Sequence, residues 1–363
     1  MRRFGRHGAL NTVPPRRYRI VWRVRLSYRG AKEARSRCRA AGDWAATGPR
    51  PPVGPGALRM NHLGLHVRLL LVAAFWGVAW TAGRVVATEM NDWPVFGAWL
   101  RYLIAVPIFL IWQRVSEGWS VPTWPQWRRL FWIGAFSTFL YQVLFMYGMG
   151  WTAAGDASLM ITLNPLFTSA LAVLVLGHAM TKELAGGVAL GLMGIVVLFV
   201  ASPNIDLPLA ERWLGNAFIA ASALAWATAS LLISRAMEVE ETENDGPMSP
   251  LHITVWASAV GLLILTPWSG FEVVNNGWPV VDLWSLVSIV FLALLSTVVA
   301  YVWFAEGVKR IGPSRTSTYV YLVPIFGILS GYLLLGEQLG WSLVLALLLI
   351  LSGVSLAQRS TKA

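Results

Sequence analysis

Ten long, largely apolar runs, each closed by a short polar or Pro/Gly-containing stretch, constrain this chain more than any other feature. They lie near residues 67–87, 95–112, 130–148, 156–176, 185–201, 215–234, 251–268, 284–304, 314–335 and 341–357. A helix of about 20 residues crosses the roughly 30 Å hydrocarbon layer of a bilayer. In lipid every backbone polar group must be satisfied within the segment, so the runs are expected to be helices. The composition agrees: 56% of the 363 residues are hydrophobic and only 13% charged. A soluble domain of this length would leave large apolar patches in water.

The net charge of +11 invites a nucleic-acid reading, but its distribution argues against one. Residues 1–59 hold 15 of the 29 Lys and Arg and 2 of the 18 Asp and Glu, so the basicity belongs to a leader. This leader is rich in Arg, Gly, Ala and Pro and has no apolar core of the kind a secretory signal needs. Three readings of it stand: upstream sequence translated ahead of a start at Met60, a disordered basic tail on anionic lipid, or a targeting or nucleic-acid-binding arm. For the body no nucleic-acid partner is expected. The single cysteine, Cys38, also falls in the leader, which leaves the body without a disulfide framework or thiolate metal site.

If the ten helices alternate in direction, eleven basic residues collect on one face, including Arg68, Arg128, Arg129, Arg235 and Arg310. Only Arg212 falls on the other face, while Arg84 and Arg101 lie within spans. Basic loops stay in the cytoplasm, so both termini are expected there, in the inner membrane of a bacterium. Tryptophans near the run ends, such as Trp93, Trp124, Trp278 and Trp341, fit an interfacial belt.

The chain also repeats itself. At a shift of 159 residues Gly148 meets Gly307, Pro165 meets Pro324, Gly177 meets Gly336 and Gly194 meets Gly353. The matched stretches read NPLFTSALAVLVLGH and VPIFGILSGYLLLGE; earlier, Trp76 aligns with Trp226 at a shift of 150. The acidic loop EVEETENDG at 238–246 can absorb the difference. With five helices in each half, the second half must run through the membrane upside down. The expected fold is therefore an all-α integral membrane protein of two inverted five-helix repeats, an arrangement suited to alternating access around a central site. The expected units are a leader at 1–59 and repeats at 60–201 and 202–363.

The FWG at 75–77, the LRY at 100–102 and the paired P-x11-G-[HE] pattern ending the fourth and ninth runs resemble the drug/metabolite transporter superfamily, in its EamA-type branch. The resemblance covers roughly residues 67–357. It implies ten helices, cytoplasmic termini and movement of small metabolites, often outward. The family pattern commonly places Glu after the glycine in each half. Glu337 fits, but His178 replaces the first, which weakens any mechanism needing both acids.

Within the spans, Arg84 and Arg101 most need explaining, because a charge at membrane depth costs at least a few kcal/mol unless paired or hydrated. By helical rise both sit in the outer half of the membrane. A guanidinium there would hold a substrate carboxylate or phosphate; the structural alternatives are Arg84 snorkelling toward Glu89 or Asp92 and Arg101 bonded to carbonyls. Trp76, Trp80 and Trp226, with Tyr102, Tyr141, Tyr301 and Trp303, are candidates for cavity walls, suited to amphipathic or cationic solutes, or for packing between helices. Pro165 and Pro324 would kink the fourth and ninth helices and place them beside the pathway, with Asn164 supplying a polar contact. Gly187, Gly191 and Gly194 allow close helix approach, more simply within one subunit than across a dimer. Asp156, His178, Glu306 and Glu337 all fall near helix ends, so a proton-coupled antiport finds little support.

The sequence holds no HExxH, GxSxG or Walker-type glycine loop, and its histidines have no metal-site spacing. No cofactor or metal is expected, and an integral-membrane lipid-modifying enzyme is the weaker alternative. The expected activity is secondary transport, probing first an amino acid or related organic anion as substrate and second an amphipathic drug or organic cation. The protein would work as a monomer or homodimer, with a small-molecule substrate and the bilayer as its partners.

Overall fold

A computed structural model describes residues 55–177, 179–203, 207–240 and 245–360. The leader up to residue 54 and His178 lie outside the described residues. Among those described, ten helices are long and apolar enough to cross a membrane. They are α1 (Leu63–Glu89), α2 (Pro94–Ser116), α3 (Trp124–Trp151), α4 (Ala154–Val175), α5 (Lys182–Ala201), α6 (Leu209–Met237), α7 (Pro250–Asn276), α8 (Leu283–Ile311), α9 (Arg315–Leu335) and α10 (Trp341–Gln358).

Local chemistry fixes where several of them start. Pro94 and Pro250 occupy the first turns of α2 and α7, where a missing N–H is harmless. Ser249 caps α7 by accepting from His252 N at 3.0 Å, and Thr181 caps α5 by accepting from Leu184 N at 3.1 Å. The Asp282 carboxylate caps α8 by accepting from Trp284 N at 2.9 Å and Ser285 N at 3.0 Å. The α7 helix runs past the expected end near residue 268. Pro267 lies inside it, and the extra turns carry Glu272 onto the N-terminus of α2.

The repeat is visible as matched irregularities. Helix α3 opens into a π-helical stretch at Ala135–Leu140, and α8 does so at Leu292–Val299. Helix α4 tightens to a 3-10 turn at Ile161–Leu163 just before Asn164 and Pro165; α9 does the same at Thr318–Leu322 before Val323 and Pro324. Both α4 and α9 end on a left-handed glycine, Gly177 (φ 70°) and Gly336 (φ 69°). The fold is two inverted five-helix repeats. Their last helices meet backbone to backbone: a Cβ at Gly187 would lie 2.5 Å from Gly353 O, and one at Gly353 would lie 2.5 Å from Gly187 O. Gly194 packs against Ile350, so these small residues serve contact within the chain.

The two ends of the bundle differ. At the basic end Glu306 on α8 bridges Arg68 of α1 and Arg310, both at 2.7 Å, Arg129 pairs with Asp245, and Glu117 accepts from Ser249 Oγ at 2.6 Å. The opposite end gathers the α1–α2, α3–α4, α7–α8 and α9–α10 turns, where carboxylates bind backbone N–H groups instead of cations. Glu272 accepts from Val95 N at 3.2 Å and Phe96 N at 2.8 Å, closing α7 onto α2.

Candidate substrate cavity

A cavity of about 320 Å³ lies where the irregular stretches of α4, α8 and α9 face α1, α2, α3 and α6. Of the residues singled out in the sequence, Trp76, Trp80, Arg101, Tyr102, Asn164, Pro165, Trp226 and Tyr301 line it, and so does Tyr141. Arg84 and Pro324 do not. The Arg84 guanidinium turns away and donates to the carbonyls of Met149, at 2.7 Å, and of Thr152, where α3 ends. It thereby satisfies carbonyls that a helix terminus leaves without partners. Pro324 is buried one residue beyond the lining residue Val323.

Arg101 is the one charged residue among the lining residues. Its Nε and Nη2 donate to Thr297 Oγ1 at 2.9 and 2.8 Å, and its guanidinium carbon stands 5.6 Å from the Tyr102 ring centroid. It forms no ion pair with any described residue. Thr297 is available because α8 is π-helical there: its hydroxyl donates back to Leu292 O, five residues earlier, at 2.7 Å. The same stretch frees the Ser296 carbonyl, which accepts from Trp76 Nε1 at 3.0 Å.

Two amide oxygens in the cavity have no donor among the described residues. These are Asn164 Oδ1 and Gln142 Oε1; the other end of the Gln142 amide donates to Tyr102 Oη at 3.3 Å. The walls are aromatic rings packed on one another: Trp76 on Phe304 (5.2 Å between centroids), Trp80 on Phe145 (5.2 Å), and Tyr141 on Trp226 (5.5 Å). The cavity thus combines a guanidinium, two buried amide oxygens without donors among the described residues and an apolar rim, with no carboxylate among its lining residues.

One run of cavities extends from it. It shares Tyr102, Trp226 and Tyr301 with a second cavity of about 140 Å³ that reaches Pro250 and Ile253 at the start of α7. That one shares Ile133 with a third, of about 420 Å³, lined by Arg128, Arg129 and Arg235. The chain of cavities leads to the basic end.

Two stretches of the sequence, residues 66–200 and 213–358, match the EamA-like transporter family, one per repeat. The chain belongs to that family. It is a multi-pass membrane transporter of the drug/metabolite superfamily. Its relatives include an uncharacterized transporter, YyaM, of Bacillus subtilis, 26% identical over 73% of this chain and 84% of the relative. A probable amino-acid metabolite efflux pump of Salmonella typhimurium is 26% identical over 78% of this chain and 91% of its own. A probable terminal-alkyne amino-acid exporter of Streptantibioticus cattleyicolor is 26% identical over 74% and 84%. A solved crystal structure of a protein superposes with a TM-score of 0.53 over 82% of this chain and 98% of that one; at 19% identity it speaks for the fold alone.

Sequence reasoning missed Ser296, Thr297 and Gln142. A signal for the first two was present: FST at 136–138 and LST at 295–297 stand in the same 159-residue register as the glycines and prolines.

Proposed function

We propose that this transporter carries amino acids or closely related small organic anions, and carries them outward. The observation that supports this most is Arg101, an intramembrane guanidinium in a cavity with no carboxylate among its lining residues to neutralise it. A substrate carboxylate would replace the missing counter-ion, and charge-assisted hydrogen bonds of this kind are the strong ones. Asn164 Oδ1 and Gln142 Oε1 would accept from an α-ammonium group. The aromatic rim would bury an apolar side chain. Two relatives named for amino-acid efflux agree with both the substrate class and the direction.

In this reading the repeats, 60–201 and 202–363, rock against each other around the cavity. The basic end faces the cytoplasm of a bacterium, because basic loops are retained on that side, and both termini lie there. The transporter works as a monomer or a homodimer. An aromatic-cation carrier is the second reading; it has the aromatic rim in its favour and the uncompensated Arg101 against it.

The deciding experiment is counterflow of radiolabelled amino acids in proteoliposomes, with Arg101→Gln beside the unmodified protein. Saturable flux that falls at least tenfold in Arg101→Gln supports the proposal. Equal flux of an anionic or zwitterionic substrate by both proteins overturns the role of Arg101, and flux of aromatic cations alone moves the protein to the second reading.

A further inference from the structure

At the end of the bundle opposite the arginines, α9 crosses onto the start of α4. Helix α9 ends at the left-handed Gly336, which turns the chain so that Glu337 N donates to Gly331 O at 3.2 Å. The Glu337 side chain is thereby thrown back across the helix end and onto α4. Its Oε1 accepts from Ala154 N at 2.5 Å and its Oε2 from Gly155 N at 2.9 Å. These are orphan donors in the first turn of α4, where the helix dipole also favours negative charge.

The approach depends on small residues. A Cβ at Gly331 would collide with the Glu337 carboxylate, and a Cβ at Gly155 would lie 3.3 Å from it. One turn deeper, Gly327 packs against Ser158, and Ser330 Oγ shares a 2.6 Å hydrogen bond with Thr81 of α1. Gly77 of α1 leaves no space for a Cβ beside Phe326. Helices α1, α4 and α9 therefore form a sealed seam directly beyond the cavity, whose lining takes Trp76 and Trp80 from α1, Thr162 from α4 and Val323 from α9. Arg84 stands within electrostatic reach of Glu337 and of the fully buried Asp156, and Asp156 in turn lies beside Ser202 and Asn216.

We propose that Glu337 is the latch of the closed end, and that the transport cycle exposes the cavity on that side by withdrawing this carboxylate from the α4 N-terminus. With this latch shut, the cavity is open to the basic end.

Accessibility tests this without reference to substrate, so the outcome is separate from that of the flux experiment. Cys38 is the sole cysteine, and Cys38→Ser removes it. Ala79→Cys then places a reporter thiol in the cavity wall. A membrane-impermeant maleimide is applied to spheroplasts and to inverted vesicles, one side at a time. The unmodified latch should give labelling at least tenfold faster from the basic side. Glu337→Ala should raise the rate from the opposite side about tenfold or more. Glu337→Gln, which keeps one acceptor oxygen, should fall between, and it carries the test if the alanine variant does not reach the membrane folded. Unchanged side preference in Glu337→Ala and Glu337→Gln overturns the latch.

Discussion

The third and eighth helices carry the same device and use it differently. Each widens to a π-helical stretch holding a Ser–Thr pair, Ser137–Thr138 in α3 and Ser296–Thr297 in α8. Thr138 faces Gly261 of α7, where no Cβ fits. Thr297 faces Arg101 of α2 and accepts from its guanidinium. A shift of 160 residues, which also pairs Pro107 with Pro267, sets Arg101 opposite Gly261. One half has filled the position with a charge that lines the cavity, and the other has emptied it so that two helices can close. An inverted repeat gives the moving parts, while a site for a chemically asymmetric solute requires that the repeats diverge at the residues touching it.

Removing the charge is expected to have the largest effect. Arg101→Gln should cut transport of a carboxylate substrate roughly ten- to a hundredfold, as loss of a charge-assisted hydrogen bond of about 1.5–3 kcal/mol would give. Its thermal stability in detergent should hold, since an unpaired intramembrane charge is itself unfavourable. A fall in stability together with flux would make Arg101 structural and level the two halves.

Filling the empty position should damage the other half in a different way. Gly261→Ala drives a methyl into Thr138 and should destabilise by about 1–3 kcal/mol through overpacking, read as a lower melting temperature. Substrate affinity of the folded fraction should be unchanged. If affinity falls and melting does not, both positions belong to the site.

Paired threonine substitutions sharpen the contrast. Thr297→Val removes the acceptor that aims Arg101 and should raise KM roughly three- to tenfold, as expected for one hydrogen bond of about 1 kcal/mol. Thr138→Val should leave KM where it was. Equal effects would mean that the π-helical stretches act by shape alone.

Much of the fold was legible because lipid imposes a simple code: ten apolar runs give ten helices, and the recurring Pro165/Pro324 and Gly177/Gly336 give the repeat. The aromatic and polar candidates at 76, 80, 102, 164, 226 and 301 could be chosen because a polar or aromatic residue mid-span is conspicuous in hydrocarbon. Arg84 was conspicuous for the same reason and lies elsewhere, satisfying the end of α3. Depth along a helix can be counted from the sequence, but the direction in which a long side chain turns is set by which carbonyls its neighbours leave unpaired.

The sequence alone therefore determined the solvent, the number and sense of the helices and the inverted repeat, since each follows from hydrophobicity, spacing and period. Only the tertiary structure decided which arginine meets the cavity, that a π-helical stretch sets Thr297 against that arginine and Ser296 in the cavity wall, and that Glu337 meets the N-terminus of α4. Those depend on contacts between residues as much as 220 positions apart, as in Trp76 with Ser296, and packing fixes such pairs in space where no local pattern does.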